Sequence, residues 1–233
     1  MALDPVALWS YAALAAVDLI GVATQTKSLR RLAKPLLAPA LAVGVARATG
    51  RPRGAMVAGL ACAAGGDTAL LFPGRPAFLT GMGSFLGAQL CYRKAFRQLD
   101  GAPDWPTNAP PIAGAPSRAL PRRSQQRGVE LRAAAPYALT WLAANAALAR
   151  RLGPLAVPVA GYSAALLAMA HAARRLGPGG QLGGALFVLS DLMIGIGKAG
   201  ADFPGRELLT MSSYIAAQAL LAENYARRAP RAA

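Results

Sequence analysis

Two aspartates stand alone in apolar segments of this 233-residue chain. Asp67 lies within AAGGDTALLF (63–72), and Asp191 is the single charge of GGALFVLSDLMIGIG (183–197). An ionisable side chain inside a bilayer costs on the order of 3 kcal/mol on insertion scales, so its presence needs a reason. One reason is structural: the carboxylate pairs with a lysine, or accepts a hydrogen bond from Ser190, and pins helices together. The other is a polar pocket that carries out chemistry or moves a solute.

The elements that position these aspartates are predicted to be membrane-spanning helices. The chain is 55% hydrophobic, and its 25 Lys and Arg occur in clusters between long segments of little charge. This alternation is typical of a polytopic membrane protein, and a soluble bundle of this length lacks the interior to bury eight nearly apolar helices. We predict an all-α bundle of eight spans at about 5–24, 34–49, 54–72, 76–97, 131–149, 154–173, 180–198 and 206–226.

The charge distribution also bears on partners. A net charge of +15 is compatible with nucleic-acid binding, but no aromatic residues interleave with the basic clusters in a stacking pattern. We therefore predict no nucleic-acid partner. Cys62 and Cys91 both fall inside predicted spans, which indicates neither a disulfide framework nor metal-ligand spacing. No metal or other cofactor is expected.

The connections between spans predict an orientation. The loops that follow even-numbered spans, together with the C-terminus, hold more Lys and Arg than the other loops, so both termini are predicted to be cytoplasmic. The stretch 100–127 is rich in Pro, Gly, Ala and Arg and is predicted to be a disordered cytoplasmic loop within a single transmembrane domain, 1–233. The first span has no basic stretch before it, which predicts a retained helix rather than a cleaved signal peptide. The expected location is a bacterial inner membrane.

Three acids and two bases are predicted to meet in one layer of this membrane. At about 1.5 Å per residue, Asp67 and Asp191 lie roughly 7 and 10 Å below the outer ends of their spans, and Asp18 about 9 Å below the end of span 1. Lys34 begins span 2 and Lys198 ends span 7 on the same outer side. The sequence therefore predicts a shared polar layer in the outer half of the bilayer.

An ordered set of short motifs accompanies these charges. The set comprises Lys34-Pro35, Gly66-Asp67, Phe85 and Tyr92 of GSFLGAQLCY, Tyr162, Met169, the block from Gly184 to Asp191, Lys198, Tyr214 and Gln218. It resembles the pattern of the YhhN family, eight-span membrane proteins whose animal members are lysoplasmalogenases. The match runs in order along nearly the whole chain apart from the 100–127 stretch. Gln89 stands where the family usually has a histidine; a glutamine side chain can form hydrogen bonds but cannot transfer a proton.

The resemblance implies hydrolysis of the alkenyl (vinyl) ether bond of a lysoplasmalogen, giving a fatty aldehyde and a glycerophospho-base. Its partners are then the lysophospholipid substrate and membrane lipids. Vinyl ethers yield to acid, and the reaction suits two carboxyls in different protonation states, as in glycosidases. The resemblance implies Asp67 and Asp191 as this catalytic pair. It also implies contacts to substrate or water from Lys34, Lys198, Tyr92, Tyr162, Tyr214, Gln218, Gln89 and Asp18, with the two lysines near the lipid phosphate.

Two other functions remain compatible with the sequence. A small lipid or solute transporter also places acids and bases within the membrane, although no convincing inverted repeat is visible. A non-catalytic membrane scaffold is the third possibility, and it would not need two carboxylates at matched depth.

Overall fold

The computed structural model describes residues 3–48, 53–99 and 123–228, and within these ranges the chain forms helices and no strands. The predicted all-α class is confirmed. The helices are α1 (Pro5–Ala23), α2 (Lys27–Ala48), α3 (Gly54–Ala69), α4 (Arg75–Gln98), α5 (Arg123–Leu152), α6 (Ala156–Ala173), α7 (Pro178–Lys198) and α8 (Arg206–Arg228).

Two helices begin well before their predicted starts. Helix α2 begins at Lys27, seven residues before the predicted start, because Leu, Arg and Lys are good helix formers and continue the apolar segment backwards. The prediction of a disordered loop at 100–127 is wrong over its last five residues, since 123–127 form the start of α5. The Arg and Gln of this stretch also favour helix. The rest of that prediction, 100–122, lies outside the described residues.

Three helical segments are long and apolar enough to cross a membrane: Pro5–Ala23, Gly153–Leu176 and Pro178–Lys198. Helix α3 is short, with 16 residues, and the remaining helices carry basic clusters that lower their mean hydropathy. Large apolar side chains also lie on the outer surface, among them Trp9 at 77% and Val157 at 82% exposure. A surface of this kind suits contact with lipid chains. The structure thus indicates a membrane protein, while the count of eight spans stays a prediction.

Among the described helices, seven form a closed ring, and α5 packs outside it. Neighbours in the ring are α1, α2, α3 and α4 in chain order, then α6, α7 and α8, and α8 contacts both α1 and α2. The Tyr11 hydroxyl donates to the Ile215 carbonyl at 2.7 Å and ties α1 to α8. Helix α5 packs mainly on α6. Because successive helices run in opposite directions, the α1–α2, α3–α4 and α7–α8 connections lie at one end of the ring.

Glycines on α3 allow this helix to approach α4 closely. A Cβ atom on Gly66 would lie 2.6 Å from the Phe85 ring, and one on Gly59 would lie 2.5 Å from the Tyr92 ring. Both distances are shorter than any real carbon contact, so these two positions require glycine. The close approach places the carboxylate that follows Gly66 against the interior of the ring.

Candidate active site

A cavity of about 310 Å³ lies at the end of the ring formed by the α1–α2, α3–α4 and α7–α8 connections. We call it the polar cavity. Five of the residues singled out from the sequence line it, namely Lys34, Asp67, Asp191, Lys198 and Tyr214. They come from four different helices. Two carboxylates that are far apart in the chain therefore share the wall of one cavity.

Asp67 is held by a lysine and a tyrosine. One of its carboxylate oxygens lies 3.8 Å from Lys34 Nζ, and the other accepts a hydrogen bond of 2.7 Å from the Tyr214 hydroxyl. The Asp67 and Lys34 side chains are only 1% and 8% exposed. A buried ion pair of this kind keeps its strength because little water reaches it. Asp67 thus lies beside a fixed positive charge.

A hydrogen-bond chain extends from Asp67 into the core. Gln218 Nε2 donates to the Tyr214 oxygen at 3.0 Å, and the Tyr92 hydroxyl donates to Gln218 Oε1 at 2.9 Å. The Tyr214 ring is also held edge-on between Phe85 and Phe187, with ring centroids 5.8 and 5.5 Å away. Gln218 and Tyr92 therefore orient Tyr214 from behind and do not contribute to the cavity wall.

Asp191 has different surroundings. It is half-buried and accepts a hydrogen bond of 2.5 Å from the Tyr162 hydroxyl, and it forms no ion pair with any of the described Lys and Arg residues. The Ser190 hydroxyl, one predicted partner of an aspartate, instead donates to the Thr210 carbonyl at 3.0 Å. The cavity thus contains one carboxyl beside a cation and a second beside a neutral phenol.

Asp18 and Gln89 are buried but do not lie on the cavity wall. Asp18, on α1, faces the charges of Lys34 and Arg30 on α2. Its buried oxygens accept no hydrogen bond from the residues that the structure describes. The Gln89 amide likewise has no hydrogen-bond partner in the described ranges, although it lies near the Tyr162 hydroxyl. The geometry therefore places both residues behind those that line the cavity.

The mouth of the polar cavity is basic. Lys198 Nζ lies 4.7 Å from the centre of the Phe78 ring, a cation–π arrangement that leaves the charge accessible. Arg30 Nη1 lies 3.3 Å from a Glu207 carboxylate oxygen, and both residues line the cavity. Arg206, at the start of α8, lines it as well. Three cations thus surround an opening that holds one exposed acid.

Arg206 is fixed in place by the connection that precedes α8. Its Nε donates to Asp202 at 2.7 Å, and its Nη1 donates to the Met193 carbonyl at 3.3 Å. The hydrogen bond from Arg206 and a second from the Phe203 backbone amide hold the pKa of Asp202 below its usual range. The Arg206–Asp202 pair therefore persists into mildly acidic solution, and the guanidinium stays directed at the cavity.

Sequence reasoning missed Arg30, Arg206 and Thr210, although a spacing signal exists for each. Arg30 precedes Lys34 by four residues, which places the two side chains on one face of α2. On α8 the spacing of four repeats, and it defines a polar stripe of Arg206, Thr210, Tyr214 and Gln218. Basic clusters interpreted only as topology signals concealed this pattern.

Comparison with known proteins identifies the family of the chain. Among the described residues, no group of three or more His, Cys, Asp or Glu side chains is arranged to hold a metal ion. No curated protein and no solved structure matches the chain. The model of the YhhN family matches residues 29–225, a range that contains every residue of the polar cavity named above. The chain therefore belongs to the YhhN family.

Proposed function

We propose that this protein is a membrane-embedded hydrolase that cleaves the vinyl ether bond of lysoplasmalogen-type lysolipids. The products are a fatty aldehyde and a glycerophospho-base. One observation carries the proposal: Asp67 and Asp191 line the same cavity, one paired with Lys34 and the other with a neutral phenol. Family membership supports the same reaction class.

The chemistry requires two carboxyls in different protonation states. A carboxylic acid protonates the chain-side carbon of the C=C–O unit, which produces an oxocarbenium ion and a carboxylate. The second carboxyl, already ionised, stabilises the cation and removes a proton from the water that adds to the carbon bonded to oxygen. The hemiacetal then collapses to the aldehyde and a free glycerol hydroxyl: the second carboxyl gives the proton it took from water to the leaving glycerol oxygen, and the first carboxylate removes the hemiacetal hydroxyl proton, which restores one acid and one carboxylate. One water is consumed and no redox change occurs.

The surroundings assign one role to each aspartate. Lys34 provides Asp67 with the counter-ion that a carboxylate needs, so Asp67 is the ionised partner. Asp191, which has no such counter-ion among the described residues, is the proton donor, and the Tyr162 hydroxyl holds it in position. The different pairing partners support a mechanism with two unlike carboxyls.

The lipid phosphate is assigned to the mouth of the polar cavity. The sequence predicts that Lys34 binds the lipid phosphate, but the Lys34 ammonium already forms an ion pair with Asp67. Lys198, Arg30 and Arg206 line the same cavity nearer its opening and are the better candidates. Guanidinium groups bind phosphate oxygens through paired hydrogen bonds, which suits two arginines to this task.

The proposal includes the topology. All eight helices span the bilayer, both termini are cytoplasmic, and the mouth of the polar cavity faces the outside of a bacterial inner membrane. Reporter fusions after residue 125 and at the C-terminus should report the cytoplasm, and a fusion near residue 27 should report the outside. Fusions near residues 27 and 125 that report the same side would rule out the eight-span arrangement.

The reaction is tested with purified protein and lysoplasmalogen in mixed micelles by measuring free aldehyde. Asp67→Asn and Asp191→Asn should each abolish nearly all release, and the double variant should be little worse than either single variant because the two act as a unit. Asp18→Asn, a change behind the cavity wall, should keep substantial activity. A transporter would instead move labelled lysolipid across vesicles without releasing aldehyde.

A further inference from the structure

A second, smaller cavity of about 60 Å³ adjoins the polar cavity. We call it the apolar chamber, and its carbon walls are Leu70, Phe78, Met82, Phe85, Val159 and Ile194. Its polar side chains are Tyr162 and Asp191. The chamber therefore has an apolar wall, with the carboxyl assigned as proton donor at one side.

The two cavities share part of their walls. Leu70, Phe78, Phe85, Asp191 and Ile194 line both of them, so Asp191 lies at the junction. The chamber lies near the surface of the bundle, because Phe78 and Met82 of α4 and Val159 and Tyr162 of α6 are only half-buried, whereas Phe85 is buried. The line from the polar cavity to the apolar chamber, which we call the path, is charged at one end and apolar at the other.

We propose that the apolar chamber binds the hydrocarbon chain of a single-chain lipid next to its ether oxygen. The proposal rests on the proposed function and names a subsite for it. A lysolipid has a charged head joined to one apolar chain. The two adjoining cavities have a matching arrangement, because charged side chains line one and apolar side chains line most of the other. With the phosphate at the basic mouth and the chain between α4 and α6, the reacting bond lies at Asp191.

This placement agrees with the chemistry. The carbon that must be protonated lies on the chain side of the ether oxygen, and Asp191 is the carboxyl that borders the chamber. Asp67 lines the polar cavity but not the apolar chamber, so it lies on the side of the headgroup and of water. The order of the two carboxyls along the path therefore matches the order of the atoms on which they act.

Val159→Phe tests the subsite, because it fills the chamber from α6 without replacing an ionisable group. Val157→Phe is the matched control, since Val157 lies two residues away on the same helix and is 82% exposed. The measured quantity is the ratio of kcat/KM for a long-chain vinyl ether lysolipid to that for a short-chain analogue. We expect this ratio to fall roughly tenfold or more in Val159→Phe, equivalent to about 1.4 kcal/mol, and to stay at the parent value in Val157→Phe. Equal ratios in the two variants overturn the inference.

A labelling experiment separates failure of this inference from failure of the proposed function. A saturated alkyl ether lysophospholipid, which has no vinyl ether bond to hydrolyse, is prepared with a photoreactive diazirine close to the ether oxygen. If the chamber binds the chain, peptides containing Met82 and Val159 carry the label, and Val159→Phe reduces it, whether or not the parent protein releases aldehyde. Label that is spread over exposed helix faces such as that of Trp9, and unchanged in Val159→Phe, refutes the chamber even if aldehyde is released.

Discussion

Removal of the Lys34 ammonium tests the electrostatic basis of the site. Lys34→Met keeps most of the side-chain volume and deletes the charge that pairs with Asp67 at 3.8 Å. At an effective dielectric constant of about 20, unit charges at this separation attract by about 4 kcal/mol. Breaking a buried pair by removing one partner lowers the free energy of unfolding by about 3 to 5 kcal/mol, because the other charge stays buried. Asp18 faces the same ammonium, so we expect the upper part of that range.

The measurement is a double-mutant cycle. Free energies of unfolding are compared in mixed micelles for the parent, Lys34→Met, Asp67→Asn and the double variant. The double variant should recover about 2 kcal/mol or more of the loss seen in Lys34→Met, because the asparagine leaves no unpaired charge. Losses that simply add would refute the assignment of Lys34 as the counter-ion of Asp67.

An exposed ion pair in the same protein serves as the control. Arg47 Nη1 lies 3.1 Å from an Asp4 carboxylate oxygen, a shorter separation than in the buried pair, but the Arg47 side chain is 64% exposed. Arg47→Met should lower the free energy of unfolding by less than about 1 kcal/mol, because solvent screens the pair. A loss as large as that of Lys34→Met would mean that distance rather than burial decides the energy, contrary to the reasoning above.

Three further changes probe the surroundings of the site. Tyr214→Phe keeps the ring but removes one hydrogen bond to a charged group, so we expect the transition state to lose about 1.5 to 3 kcal/mol of stabilisation. The rate of aldehyde release should then be roughly 10- to 100-fold lower. Parent-like rates would exclude the hydroxyl from the mechanism. Gly59→Ala forces a methyl group against the Tyr92 ring and should lower the free energy of unfolding by about 1 to 3 kcal/mol. Gly83→Ala is the control, because a methyl group at this position meets open space. It should leave the free energy of unfolding unchanged or raise it in the same denaturation assay. Arg206→Gln should raise KM about tenfold for a phosphorylated vinyl ether and less for its phosphate-free analogue; equal effects on both would remove the phosphate contact.

The helices could be predicted from the sequence because the pattern of apolar and charged residues that indicates each helix is local. Apolar segments with basic flanks repeat along the chain, and turn-forming pairs such as Pro73-Gly74 and Gly177-Pro178 separate them. The starts of α2 and α5 were placed late because charged helix formers continue a helix beyond its apolar part. Patterns based on hydropathy do not detect such extensions.

The site was accessible only in part. Counting residues from helix ends gives the depth of a carboxylate, and this placed Asp67 and Asp191 together. Depth does not give the direction in which a side chain points around its helix axis, so Asp18 was expected in the same pocket and lies behind it instead. The hydrogen bond from Tyr214 to Asp67 joins residues 147 positions apart and depends on how α8 packs as a member of the ring. No local pattern predicts that packing.

The position of α8 in the chain has a consequence for how the protein is made. Helix α8 supplies the Tyr214 hydroxyl and the Gln218 amide, so translation delivers these partners of Asp67 only after helices α1 to α7. Lys34, in contrast, emerges before Asp67, and their early pairing can neutralise the charge while α3 packs on α2. A chain without α8 can keep the ion pair of Lys34 and Asp67, but it leaves the second oxygen of Asp67 without the hydrogen bond from Tyr214. The polar cavity is therefore complete only after α8 has joined the bundle.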